Sequence, residues 1–258
     1  MVMLYFSGTG NSKYVAELFC GNMDTTCHSI EEDIDFVKLI DAEQTIAFCY
    51  PIYFSRVPRI MREFVAKHID FLKDKNLIIF CTQLVMSGDG ARAFAALFPQ
   101  GHMEVIYAEH FFMPNNVTNF LILPEMLISE RRIRKAIVKA GKKMQTVCRN
   151  INNGVVKKRG FNIISRALGL IQAPLMSPSE KKANNSVKIN NDCTNCGICA
   201  VVCPMNNLNC ENGNITHSHN CTLCYRCVNK CPQKAITIAF HGKVKKQYTG
   251  VETRFEDK

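Results

Sequence analysis

The sequence predicts an α/β chain in two parts: a parallel sheet, then a small α+β unit rich in cysteine. Three observations lead there. Apolar runs of strand length alternate with helical patterns through the first half, and that alternation is the mark of a parallel sheet. Eight of the fourteen cysteines fall into two copies of one pattern between residues 193 and 232. A polar, proline-containing stretch at 177–186 (SPSEKKANNS) precedes them and reads as a linker. With 258 residues and 47% hydrophobic content, the chain has material for one or two ordinary cores.

The first element is the apolar run 1–6 (MVMLYF), followed by 7–12 (SGTGNS) and a helical pattern at 13–20 with Val15, Ala16, Leu18 and Phe19. Strand, hydroxyl- and glycine-rich turn, helix is a phosphate cradle: glycines admit the anion and helix N-terminal N–H groups point at it. It is neither a Walker loop nor GxGxxG, because the GK[ST] ending and the third glycine are absent. Residues 45–50 (TIAFCY) form a further strand, then 51–55 (PIYFS) a loop and 58–67 a helix. Residues 76–81 (NLIIFC) repeat the unit, with loop 82–90 and a helix of small residues at 91–97. A last strand at 102–108 completes a five-stranded set.

These three loops resemble those of the flavodoxin family, whose first loop has the same hydroxyl-x-Thr-Gly-x-Ser/Thr form. The resemblance implies a 2-1-3-4-5 strand order, with FMN at the switch point where strand C-termini converge. It assigns Ser7, Gly8, Thr9, Gly10, Asn11 and Ser12 to the phosphate. It assigns Pro51, Ile52, Tyr53 and Phe54 to the ring face, with Tyr53 the first candidate for stacking. Thr82, Ser87, Gly88 and Gly90 fall to the pyrimidine edge. The chain has no Trp, so it departs from flavodoxins that stack one on the flavin.

A fifth helix is expected from about residue 124 or 125, with Met126, Ile133, Ala140 and Val147 repeating every seven residues, joined by Ile137, Met144 and Ile151. The net charge of +10 sits here: residues 131–166 hold twelve Lys or Arg and no Asp or Glu. A solvated helix face accounts for this, as does a docking surface for an acidic redox partner. No nucleic-acid module accompanies the basic residues. Residues 160–176 (GFNIISRALGLIQAPLM) are too short and charged to span a bilayer. They read as a connecting helix buried between the two parts, with lying on a membrane surface as the alternative.

The cysteine runs are Cys193, Cys196, Cys199, Cys203 and Cys221, Cys224, Cys227, Cys231, each ending in proline and offset by 28 residues. This is similar to the bacterial two-cluster ferredoxin pattern, in which the fourth cysteine ligates the other cluster. The resemblance assigns one 4Fe-4S cluster to Cys193, Cys196, Cys199 and Cys231, and the other to Cys221, Cys224, Cys227 and Cys203. Zinc ribbons lack the fourth cysteine before proline, and disulfide scaffolds belong to secreted chains. Ile198, Val201, Val202 and Val228 are expected to exclude water from the clusters. Cys210 breaks the spacing and is not counted. It and Cys20, Cys27, Cys49, Cys81 and Cys148 read as ordinary thiols in a reducing cytoplasm. Residues 1–6 lack a basic region and cleavage site, so they read as a strand and not a signal peptide.

As a whole the chain resembles the ferredoxin–flavodoxin fusions of anaerobic bacteria. The expected parts are a flavodoxin-like FMN-binding domain at 1–152, a connecting segment at 153–186, a two-cluster ferredoxin domain at 187–240 and a loosely ordered polar tail at 241–258. The expected function is electron relay between two 4Fe-4S clusters and FMN, with a redox protein or small-molecule acceptor as partner. Two rivals are an FMN-dependent reductase fed by its own ferredoxin domain and a redox-sensing binding protein. No NAD(P) fingerprint, substrate residue or catalytic histidine constellation is visible.

Overall fold

The computed structural model describes every residue except 54–55, 85–87, 100, 120–127, 185, 212–213, 240 and 252–258, and leaves aside the side chains of 173, 175–181 and 183–184. Strands β1 (Val2–Tyr5), β2 (Thr26–Ser29), β3 (Thr45–Pro51), β4 (Lys75–Gln83), β5 (Met103–Phe112) and β6 (Lys157–Lys158) form one sheet in the order β2-β1-β3-β4-β5-β6. All its pairings are parallel. The five expected strands take their expected order. The addition is β6, two residues paired with Tyr107 and Ala108, too short to show any periodicity.

The period of two sorts the strand residues to opposite faces. Val2, Leu4, Phe48, Tyr50, Leu77 and Ile79 face one core, with α2 (Phe36–Asp41), α3 (Arg59–Leu72) and α4 (Gly90–Ala95) packed on it. Met3, Tyr5, Ala47, Cys49, Ile78 and Phe80 face the other, covered by α1 (Asn11–Met23) and α5 (Glu130–Asn152). Cover on both faces explains why the central strands read as unbroken apolar runs. The α5 stripe is confirmed at Ile133, Ala140, Met144 and Val147, which are buried, but the helix starts at Glu130, later than expected. Met126 lies outside the described residues.

Three expectations for the second half are corrected. Residues 160–176 are not buried between two parts: α6 (Ile163–Asn184) presents Ile163, Ile164, Leu170 and Ile171 outward. The 177–186 stretch is helical through Asn184. The tail is packed as far as Val251: Tyr248 and Val251 enter the α1/α5 core, and Val244 the core of the cysteine unit. Gln247 Nε2 donates to the carbonyls of Val228 and Cys231 at 2.9 and 2.6 Å.

The cysteine unit contains β7 (Lys188–Ile189) paired with β10 (Ile236–Thr237), the hairpin β8 (Leu208–Glu211) and β9 (Asn214–His217), and short helices α7 (Ile198–Val201) and α8 (Arg226–Lys230). Among the described residues no helix is long and apolar enough to cross a membrane.

Candidate functional site

The loop after β1 ends at Gly10, whose φ of +96° is a left-handed conformation that glycine adopts without strain. Helix α1 begins next, so the N–H groups of Asn11, Ser12 and Lys13 have no carbonyl one turn earlier in the helix. Side chains brace the loop. Ser7 Oγ accepts the Gly10 N–H at 3.1 Å, Ser12 Oγ lies 2.8 Å from Thr82 Oγ1, and Asn11 Nδ2 donates to the Pro114 carbonyl at 2.8 Å. The cleft beside this loop has a volume of about 110 Å³.

Of the candidate residues, Ser7, Gly8, Thr9, Asn11, Ser12, Pro51, Ile52, Tyr53 and Thr82 line that cleft. Gly10 lines a second cavity, of about 270 Å³, on the side of the loop where Tyr248 and Gly250 cross. Gly88 and Gly90 line neither: Gly90 packs on Ile52 and accepts the Tyr50 hydroxyl, and Gly88 sits near Gly160. Phe54 and Ser87 lie outside the described residues. The sequence reading missed Gln83, Leu84 and residues 113–117, which complete the cleft. A signal existed in the turn-forming run 114–119 (PNNVTN) after the last sheet strand, at the edge where ligands bind in open α/β sheets. Two lining atoms, Tyr53 Oη and Gln83 Oε1, are buried with no hydrogen-bond partner among the described residues.

The two cysteine runs trace the same backbone path. Left-handed residues recur at matching offsets, Asn195, Gly197 and Asn206 in one and Leu223, Tyr225 and Lys234 in the other. Each path aims N–H groups at sulfur. Asn195 and Leu223 donate to Cys193 Sγ and Cys221 Sγ at 3.4 Å, and Asn207 and Ala235 to Cys203 Sγ and Cys231 Sγ at 3.2 and 3.3 Å. Such donors stabilise a thiolate and tune any metal it holds.

The groups cross between runs. Burial pushes the Cys199 thiol up to about 11, with Cys231 and Cys193 as further negative neighbours. Burial likewise raises Cys221 to about 11 and Cys224 to about 12, with Cys203 a neighbour of both. Among the described residues, no three His, Cys, Asp or Glu side chains close on a single metal ion. Of the side chains expected to keep water from the clusters, Val228 is fully buried, whereas Val201 is 86% exposed and Ile198 39%.

The second run abuts the glycine loop. A Cβ on Gly8 would lie 2.5 Å from the Cys224 carbonyl oxygen. Arg226 donates to the Ser7 and Gly8 carbonyls at 2.8 and 3.1 Å and pairs with Glu31 at 2.7 Å. Burial works against its charge, and Glu31 more than restores it. Asn116 Nδ2 donates to the Cys224 carbonyl at 3.2 Å. Burial raises the Tyr53 phenol well above its ordinary range, with the Cys224 and Cys221 thiols adding to the effect.

A family profile described as "Flavodoxin domain" matches residues 2–145. The chain belongs to the flavodoxin-domain family. A second profile, "4Fe-4S dicluster domain", matches residues 178–236, so the protein is a flavodoxin–ferredoxin fusion with an electron-transfer role. No curated protein matches the chain. Similar solved structures include the Trp repressor binding protein from Bacillus subtilis, at 15% identity over 55% of this chain and 96% of that one (TM-score 0.40). Two-electron reduced Megasphaera elsdenii flavodoxin has 21% identity over 55% and 99% (TM-score 0.39). Flavodoxin 2 from Bacillus cereus has 15% identity over 57% and 97% (TM-score 0.36).

A flavodoxin domain implies FMN, and the cleft suits it chemically: an open helix terminus with hydroxyls for a phosphate, and two unpaired polar atoms for a ring edge. The ferredoxin domain implies 4Fe-4S clusters. The neighbouring thiols of the two runs and the N–H donors aimed at them suit thiolate-held clusters.

Proposed function

We propose that this flavodoxin–ferredoxin fusion relays electrons between two 4Fe-4S clusters and FMN. The clusters supply one-electron steps and the flavin takes up one or two. Cys193, Cys196, Cys199 and Cys231 hold the outer cluster, and Cys221, Cys224, Cys227 and Cys203 the inner one. The observation that carries the reading is the contact of the Cys224 backbone with Gly8, which sets the second cysteine run against the cofactor cleft. The first run faces solvent, with Cys196 exposed, and there an external redox partner has access.

The chain's own residues have definite tasks. Ser7, Thr9, Ser12 and the α1 N-terminus bind the phosphate. Tyr53, between the cleft and the Cys221 and Cys224 thiols, excludes water from the gap. Arg226 locks the loop carbonyls so that the domains keep one spacing.

Anaerobic purification with iron, sulfide and flavin analysis tests the cofactor set; about eight, eight and one per chain are expected. Stopped-flow reduction then tests the relay. Cluster bleaching should precede flavin reduction, and reduced clusters that never pass electrons to the flavin would overturn it.

A further inference from the structure

Helix α6 carries its apolar face outward. Over 163–174 the exposed positions are Ile163, Ile164, Arg166, Ala167, Leu170, Ile171 and Pro174. Their spacing is that of a single helical face, which a globular protein ordinarily buries. Ile163 is 86% exposed, Ile164 74%, Ile171 71% and Leu170 60%. The opposite side carries Gly169, whose lack of a side chain lets the helix seat on buried Asp89. Val155 and Val156, a few residues before the helix in sequence, are also exposed.

Basic residues precede it in the chain. Residues 131–166 contain no acidic residue. Buried Glu109 pairs with Lys143, Lys157 and Arg159, which offsets part of the charge. Lys158 and Arg166 project to solvent from the same stretch.

We propose that this surface docks the protein on an anionic lipid membrane. Apolar side chains interleaved with Lys and Arg match the boundary between acyl chains and acidic headgroups. A second copy would bring like charges face to face. A protein partner needs roughly 20–30 residues per side for a stable interface, far more than one helix face; insertion into a bilayer surface needs only the stripe. The proposal is independent of the electron relay.

The full-length holoprotein should be sedimented with phosphatidylcholine vesicles, with and without one-third phosphatidylglycerol. Binding should require the anionic lipid and weaken as salt rises. The pair Ile164→Asp and Leu170→Asp should lower partitioning about tenfold or more. The pair Lys158→Gln and Arg166→Gln, which spares the apolar face, should lower it about thirtyfold. Unchanged cluster absorbance and elution volume verify folding. Equal binding to neutral vesicles, no binding, or indifference to the aspartates overturns the proposal. So does a wild-type dimer that Ile164→Asp dissociates, which would make the face an interface between copies.

Discussion

Residues 193–206 and 221–234 run along one backbone path yet face different surroundings. In the first run the position of Ile198 is partly exposed and that of Val201 almost fully so. Their counterparts, 28 residues on, are Arg226 and Asn229. Arg226 grips the glycine loop, and buried Asn229 holds the Tyr248 N–H at 2.8 Å and the Asn116 carbonyl at 2.8 Å. Gly197 meets its left-handed turn freely, whereas Tyr225 takes the same turn at φ +59° and uses its hydroxyl on the Ile238 carbonyl. The two copies share what sulfur ligation requires, the turns and the N–H donors. They differ in the side chains that decide which run is interior.

The largest expected difference separates two cysteine changes. Cys224→Ser should lose about half the iron and also loosen the flavin at least tenfold, because the 224 backbone abuts Gly8. Cys196→Ser should lose the same iron and leave flavin affinity within about twofold, because Cys196 is exposed. Iron and flavin assays read both, and equal flavin loss would erase the distinction between the runs.

Acid sensitivity comes from a region neither run touches and sets the baseline for the comparison. Burial lowers buried His110 from 6.5 to about 4, with Arg159 and Lys143 adding to it and Glu109 opposing. The folded state therefore favours the neutral ring. Its contribution is complete above pH 6.5 and is lost as pH falls toward 4, about 2 kcal/mol between pH 7 and 5. Urea unfolding at the two pH values should show that loss, and His110→Asn should flatten it.

Arg226→Gln should cost about 2–3 kcal/mol, since it leaves partly buried Glu31 and three carbonyls, those of Ser7, Gly8 and Val202, without their donor. Ile198→Ala, at the equivalent site, should change the unfolding free energy by under about 0.5 kcal/mol. Gly8→Ala should cost about 1–3 kcal/mol, because the new methyl meets backbone that cannot turn aside. Gly197→Ala should cost about 1 kcal/mol from its φ of +74°, since the new methyl meets Cys210 only at ordinary contact distance, 3.9 Å. Denaturant midpoints measure all four.

The fold was readable where burial leaves a periodic trace. β1 is apolar throughout, β3 and β4 are apolar at their centres, and α5 carries its stripe every seventh residue. β2 left no such trace, because its four residues form a short, only partly buried edge. The candidate cleft was half readable: most of loop 7–12, residues 51–53 and Thr82 lie along it, while 113–117 left only a run of turn-forming residues and the tail reached Asn11 with no sequence signal. Helix α6 misled because its apolar residues read as core, and hydropathy reports the amount of apolar surface but not what lies against it.

The sequence by itself determined the class of the sheet, its strand order through family resemblance, and two cysteine runs whose spacing sets both turns and N–H donors. Those are local properties, carried by residues within a few positions of each other. Only the tertiary structure decided that the second run meets the glycine loop, that Arg226 joins them across 218 positions, and that α6 shows its isoleucines to solvent. Contacts between distant segments depend on how finished surfaces pack, and that information is spread over the whole chain.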